Sequence, residues 1–451
     1  MPFIKKIIPS WLLKFIRPVY HGVVAFLASI YFGSPSAKMF VIGVTGTAGK
    51  STTAAMLSHI LNFAEIKQPL PNPLLKRRGD TFKCGYMTTV NFFDGEKDFI
   101  NKHGLSMPGG WRLQKQLRQI LNNGCKYAIV ECTSEGLLQN RHLGINFSGA
   151  LFTNLSEAHI EAHGSFRAYK EAKGKLFGLI NKSINHQIAK SFIGVNLDDP
   201  FADYFLEFDA ARKFGVSFKN SISPKAHTSF QGKINETGFE LNNQQFEIKL
   251  PGDFNRYNAL LAVACANILG VTLKTSAEAV SKFIGIRGRM EPVENKLGIK
   301  IYVDYGCEPA TIRAALKAAN EIPHFRLIHV TGTTGGHRDT SKRFKFGKAS
   351  AQQADITILT NDDVYDSDPN EIIINMETGF NSVPEEERKS KELIKILDRR
   401  LAIAKALALS KKDDLVLITG KGSEQFLVLP GNKRIEWDEV SVVREEISKL
   451  V

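Results

Sequence analysis

The sequence predicts an α/β protein of two large domains, each built on a mostly parallel sheet covered by helices. Three observations predict it. A short β-rich run at residue 39 leads into a glycine loop and then a helical pattern. Strand-length apolar runs alternate with helix-forming segments beyond it, and the whole pattern restarts after residue 290. Of the 451 residues 43% are hydrophobic and 23% charged, which excludes a disordered or fibrous chain and allows two or three domains with cores of their own.

The first segment, residues 1–38, is a basic apolar extension. Lys5, Lys6, Lys14, Arg17 and Lys38 stand there without any Asp or Glu, so it carries +5 of the formal +13. Val19 to Phe32 is an uncharged run of 14 residues, shorter than the about 20 needed to span a bilayer, and no cleavage site follows it. Two expectations follow: a helix packed on the next domain, or residues 1–37 lying as a basic amphipathic segment on the inner face of a membrane. The excess charge raises nucleic acid as a partner, but no recognition helix or aromatic-basic sheet motif accompanies it. Cys84, Cys125, Cys132, Cys265 and Cys307 are scattered and never spaced as C-x-x-C, so a reducing, cytoplasmic compartment is expected and neither disulfides nor a cysteine zinc site are.

Residues 39–286 read as the central domain. Its buried-strand candidates are MFVIGV, YAIVEC (127–132), GALFTN (149–154) and SFIGVN (191–196), while 212–250 shows alternation and turn residues that suggest appended antiparallel strands. Residues 287–451 form the second domain, after the cluster IGIRGRME, with strands at 299–305, 326–332, 356–362 and 414–420. Between its first strand and helix the central domain carries Thr45-Gly46-Thr47-Ala48-Gly49-Lys50-Ser51-Thr52. In that context backbone N–H groups face phosphates, Lys50 reaches the β/γ oxygens and Ser51 ligates Mg²⁺. The generic motif has a glycine where this chain has Val44.

This loop, with further motifs in order, resembles the Mur ligase family, and its tripeptide synthetase branch most. The motifs are Glu131-Cys132-Thr133-Ser134 through Gln139 and Arg141, then Thr153-Asn154-Leu155 through His159, then Tyr169 with Ala172-Lys173. Phe254-Asn255 with Asn258, Gly288-Arg289-Met290-Glu291, Val303-Asp304-Tyr305, Gly335-Gly336 with Arg338-Asp339, and Gly420-Lys421-Gly422 with Glu424 continue the series to about residue 445. The resemblance implies a P-loop-type central ATPase domain with a mostly parallel sheet, followed by a Rossmann-like C-terminal domain. It implies an ATP- and Mg²⁺-dependent ligase that adds a free amino acid to the carboxylate of a muramoyl peptide through an acyl phosphate, in peptidoglycan precursor synthesis, as a monomer. By it, Glu131, His159 and Lys173 join Ser51 around metal, with Lys173 carbamylated. Thr45, Gly46, Thr47, Gly49, Lys50, Ser51, Thr52, Asn255, Asn258, Arg289 and Asp304 hold the nucleotide. Ser106, Thr133, Gln139, Arg141, Arg338, Asp362 and Glu424 hold the two substrates. Taken singly, Glu131 reads as a buried hydrogen-bonded carboxylate, His159 as a cap and Lys173 as a solvated helix lysine.

Departures qualify the substrate. Only about forty residues precede the phosphate loop, where relatives carry a domain of roughly 90 residues for the uridine nucleotide, so a lipid-linked muropeptide is an alternative acceptor. Ligases of that kind usually carry a four-cysteine zinc ribbon, which is absent here. Where diaminopimelate-adding members have Asp-Asn-Pro-Arg, this chain has Asp362-Asp363-Val364-Tyr365, so the arginine for a second carboxylate is missing. A non-catalytic ATP-binding recruitment module is the reading from another class, disfavoured because Lys50, Glu131, His159 and Lys173 all persist.

Overall fold

In the computed structural model, residues 10–67, 82–102, 104–157, 160–180, 191–336 and 340–450 are described. The chain divides into two compact units: Met1–Asn101 with Leu105–Lys249 and Asn255–Phe283, and Ile284–Val451 with the short pieces Lys102–Gly104 and Leu250–Phe254.

The first unit runs α1 (Ser10–Tyr31), β1 (Phe40–Thr45), α2 (Lys50–Lys67), β2 (Cys84–Met87), β3 (Asn91–Phe93), β4 (Asp98–Ile100), α3 (Gly110–Asn122), β5 (Tyr127–Glu131), α4 (Ser134–Leu138) and β6 (Phe147–Phe152). It continues through α5 (Ile160–His163), α6 (Phe166–Phe177), β7 (Phe192–Asn196), α7 (Ala202–Leu206), β8 (Arg212–Ser217), β9 (Thr228–Ile234), β10 (Gly238–Leu241), β11 (Gln244–Glu247), α8 (Asp253–Ile268) and α9 (Leu273–Val280). Its strands form one sheet in the order β11-β10-β9-β8-β7-β6-β1-β5-β2-β3-β4. β1 and β5 are buried along their whole length, as strands covered on both faces must be, and this is why they read as unbroken apolar runs. From β9 to β2 all neighbours are parallel, and the ends are antiparallel. Here the structure differs from the expectation for 212–250: β8 pairs parallel with both β7 and β9, and antiparallel pairing begins only between β9 and β10. Alternation records burial of one face and not strand direction, and residues 218–227 carry the chain back to the same end of the sheet before β9 begins.

On the flank, α1 packs against α3. Its inner face is made of small residues, Gly22, Ala25, Ala28 and Ser29, all buried. A Cβ on Gly110 at the start of α3 would lie 2.4 Å from the Ala25 Cα, so only glycine permits this approach. The described part of the extension is thus a packed helix.

The second unit runs β12 (Glu291–Pro292), β13 (Lys300–Asp304), α10 (Pro309–Glu321), β14 (Leu327–Thr333), α11 (Ser341–Gln353), β15 (Ile356–Asn361), α12 (Pro369–Asn381), β16 (Glu392–Lys395), α13 (Arg399–Leu409), β17 (Leu415–Thr419), β18 (Phe426–Leu429), β19 (Lys433–Glu436) and α14 (Glu439–Ser448). Its six-stranded sheet has the order β12-β13-β17-β14-β15-β16, parallel except at β12. Alternate strand residues enter two cores. Ile301, Val303, Val330 and Ile418 pack with Ile403 and Val443, while Leu327, Leu359 and Leu417 pack with Leu316, Phe346 and Met376.

Candidate functional site

At the C-terminal end of β1 the chain turns through Gly46 to Gly49 and enters α2 at Lys50. Gly49 has φ +81°, and a Cβ there would lie 2.2 Å from Asn258 Oδ1, so the loop can pass α8 only as glycine. Neighbouring strand ends brace it. The Thr47 N–H donates to Asn154 O (2.8 Å), the Ala48 N–H to Asn154 Oδ1 (3.0 Å), and Thr153 Oγ1 to Ala48 O (2.6 Å). Thr45 Oγ1 donates to Cys132 O (2.8 Å), tying the loop to the end of β5. Thr52 is buried in the first turn of α2. Amides at a helix N-terminus, held in place and followed by Lys50 and Ser51, are an anion cradle.

Glu131 ends β5, 2% exposed, and is aimed at this cradle. It accepts hydrogen bonds from Ser51 Oγ (2.7 Å), the Thr89 N–H (2.9 Å) and Thr89 Oγ1 (2.9 Å), and Thr89 Oγ1 is also hydrogen-bonded to Ser106 Oγ. Lys173 reaches the loop from α6. It is 2% exposed, donates from Nζ to Gly46 O (2.7 Å) and lies 4.4 Å from the ring centre of Tyr169, whose hydroxyl is 3.1 Å from Thr47 Oγ1. Burial, together with the nearby Lys50 charge, pushes the Lys173 amine well below the ordinary lysine range, against the opposing pull of Glu131. Lys173 is therefore no solvated helix lysine. Lys50 Nζ donates to Thr47 O at 2.8 Å. Asn255 and Asn258 are buried on α8, joined by Asn258 Nδ2 to Asn255 Oδ1 at 3.2 Å, and Asn258 Oδ1 accepts from Thr53 Oγ1 at 3.3 Å. His159 lies outside the described residues.

Beyond Glu131, Thr133 caps α4, its Oγ1 accepting from the Gly136 N–H (3.2 Å). Arg141 donates to Gln139 Oε1 from Nε (3.1 Å) and Nη2 (2.8 Å) and to Met107 O from Nη1 (2.7 Å), so Gln139, Arg141 and the Ser106–Met107 turn form one polar corner. Nearby, His163 Nε2 lies 3.0 Å from Ser134 Oγ and its ring 5.2 Å from that of Tyr169; burial lowers its pKa.

The second unit assembles its own set. Asp304 ends β13 and is buried. Its carboxylate accepts from the Met290 N–H (2.9 Å) and the Gly306 N–H (2.7 Å), and burial raises its pKa while Arg289 opposes the rise. The Arg289 guanidinium stacks 4.3 Å from the Tyr305 ring centre. Lys421, wholly buried, lies between three carboxylates: Glu424 Oε2 at 2.5 Å, Asp363 Oδ1 at 2.8 Å and Asp362 Oδ1 at 3.5 Å. Those acids outweigh burial and raise the Lys421 pKa, while burial raises those of Asp363 and Glu424. Asp362 and Asp363 are buried, and their carboxylates already share the cation Lys421. Arg338 and Asp339 lie outside the described residues.

A phosphate cradle at the end of a parallel sheet, with a buried acid and a buried lysine of depressed pKa beside it, defines a nucleotide-using α/β enzyme. Comparison with known proteins narrows the class. Residues 44–266 match the Mur ligase middle domain, and residues 288–422 match the family's glutamate ligase domain. The UDP-N-acetylmuramoyl-L-alanyl-D-glutamate–2,6-diaminopimelate ligase of Caldanaerobacter subterraneus is 31% identical over 431 residues, which cover 95% of this chain and 82% of that protein. The ligase of the same name from Clostridium tetani is 32% identical over 432 residues, covering 94% and 81%. A solved diaminopimelate ligase superposes with TM-score 0.57 at 28% identity, covering 92% of this chain and 79% of its own. A pseudomurein peptide ligase type C from Methanothermus fervidus has TM-score 0.61 at 20% identity and shares the fold. The chain belongs to the Mur ligase family, and it is an ATP-dependent, amide-forming ligase of peptidoglycan precursor synthesis.

Proposed function

We propose that the protein joins the amino group of a free amino acid to the terminal carboxylate of a muramoyl peptide, with residues 39–286 activating the acid and 287–451 receiving the amino acid. The carboxylate oxygen attacks the γ-phosphorus of ATP and ADP leaves. The neutral amine then attacks the acyl carbon of the acyl phosphate, phosphate leaves, and the amine loses its proton. The observation that carries this reading is the convergence of Ser51, Glu131 and Lys173 on one phosphate loop.

Ser51 Oγ and the Glu131 carboxylate are hard oxygen donors 2.7 Å apart at the loop, which suits Mg²⁺, and His159 completes the proposed set. Bound there, Mg²⁺ would offset charge on the phosphoryl oxygens. Lys50 supplies a fixed cation to the same oxygens. Lys173 fits carbamylation because burial pushes its amine well below the ordinary lysine range and so favours the neutral form: the nitrogen attacks CO₂, a proton is lost, and the neutral amine becomes an anionic carbamate. Gln139, Arg141 and Thr133, with Ser106, hold the muramoyl-peptide acceptor. Arg289 and Asp304 contact the nucleotide, with Asn255 and Asn258 from α8. Glu424, fixed by Lys421, receives the incoming α-amino group, Asp362 sets the position of Lys421, and Arg338 is assigned to amino-acid binding by the family resemblance alone.

Tyr365, with φ +56° and its hydroxyl 3.5 Å from Asp363 Oδ2, stands where the family's diaminopimelate arginine would be, so an amino acid other than diaminopimelate is proposed. ADP release measured with a panel of muramoyl dipeptides and single amino acids tests the reading. One pair is expected to stimulate release, and Glu131→Gln to lower the stimulated rate by roughly 10²–10³. Absence of stimulation by every pair, on soluble and lipid-linked acceptors alike, overturns it.

A further inference from the structure

The outer side of α1 is the reverse of what a surface helix shows water. Ile16, Val19, Tyr20, Val23, Phe26, Leu27, Ile30 and Tyr31 recur at three- and four-residue spacing and are between 42% and 72% exposed. The small residues of the same helix face the protein. From Ile16 to Tyr31 the stripe follows 16 residues of α1, about 24 Å of helix, and monomeric proteins seldom leave so continuous an apolar face in water. At its C-terminal end Trp111 of α3, 46% exposed, packs against Tyr31 in a tilted contact and Phe32 edge-on, with ring centres 5.0 and 5.3 Å away, an amphipathic aromatic group of the kind that sits at headgroup depth.

Charge identifies the occupant. Arg17 and Lys38 flank the stripe, and Arg112 and Lys115 are exposed on α3 beside it. The sequence has no Asp or Glu before Glu65, nor between Phe99 and Val130, so neither α1 nor α3 carries an acid. A second copy of this chain would bring these like charges together, whereas an anionic lipid surface complements them. No helix among the described residues is long and apolar enough to cross a membrane, which leaves an orientation in the plane of the interface. We propose that α1 and the exposed basic and aromatic residues of α3 form a docking surface for anionic phospholipid, with α1 lying in the headgroup plane and its large side chains in the acyl boundary.

The consequence for catalysis rests on the acceptor reading of Gln139 and Arg141. Asn140 Nδ2 donates to Pro18 O (3.5 Å), Gly22 packs on Leu143 and Asn140, and the charges of Arg141 and Arg17 both act on the His21 ring. A docked α1 therefore places the Arg141 corner beside the lipid headgroups, where a membrane-linked acceptor would present its anionic part.

Co-sedimentation of the full chain with vesicles tests the docking surface without any assay of ligation. The protein is expected to pellet with vesicles of phosphatidylglycerol and phosphatidylcholine and much less with phosphatidylcholine alone. The exposed pair Val23→Glu with Leu27→Glu is expected to lower the bound fraction at least tenfold while the circular dichroism melt is unchanged. Arg112→Glu with Lys115→Glu should lower it severalfold. Wild-type protein remaining in the supernatant overturns the proposal, as does pelleting that the first pair leaves intact. So does a wild-type dimer that ignores vesicles and becomes a monomer in that pair.

Discussion

Lys173 is the residue whose surroundings say most about its chemistry. Its folded pKa is depressed by burial and by Lys50, so between that value and the unfolded value the native state holds fewer protons than the unfolded chain. Stability then rises with pH across this window and is lost as pH falls. Lys173→Met removes the buried amine and with it this dependence. In CO₂-free buffer the variant should melt above wild type at pH 7 and approach it as pH rises toward 10, while ADP release is abolished. A melting-temperature difference that stays constant with pH would show that the amine is not buried unprotonated. Lys50, Ser51, Glu131 and Lys173 were legible because each sits in a motif with fixed spacing. Thr89 was not: its bonds to Glu131 join residues 42 apart in sequence, and nothing local to β2 and β3 marks it. The Lys421 motif was visible, but its role was not, since its partners Asp362 and Asp363 follow β15 and meet it only because β14 alone separates β15 from β17.

At the scale of elements, apolar runs located the central strands because burial on both faces leaves no room for polar residues. Direction was less legible, as β8 shows, because parallel and antiparallel neighbours select the same side chains. The extension was legible as apolar and basic, but an uncharged run does not reveal which side of its helix is inside. Contact with α3 decides this, and it depends on Gly110, where a Cβ would meet Ala25 at 2.2 Å. Gly110→Leu should therefore lever α1 off α3 while leaving the phosphate loop in place. Chymotrypsin cleavage after Phe26 of α1, followed by mass spectrometry, is expected to quicken at least tenfold in this variant, with the global melt lowered only slightly. Unchanged cleavage would mean that α1 is held by something other than this close approach.

For the whole molecule, the restart of the strand–helix pattern after residue 290 announced two units because each must close a core of its own, and each does. In the second unit the three carboxylates around Lys421 follow β15 and β17, which share the sheet with β14, so the charge of a single lysine bears on that unit's folding. Lys421→Met strands these acids without their cation, a change that costs about 3–5 kcal/mol when a buried ion pair loses one partner. The surviving carboxylates then take up protons more readily in the folded state than in the unfolded one. The deficit should accordingly be largest at pH 8 and shrink on acidification toward pH 5, opposite to the Lys173 variant. Trp437 is a reporter within the same unit: it is 8% exposed and its Nε1 donates to Glu439 (2.5 Å), the partner of the buried Arg399 that also feels Asp362. Urea titration followed by Trp437 fluorescence, with Trp11 and Trp111 replaced by Phe, should show the midpoint falling in Lys421→Met and recovering at low pH. A midpoint that does not move would mean that the acids are satisfied without the lysine, and that Glu424 is free to meet an incoming amine unaided.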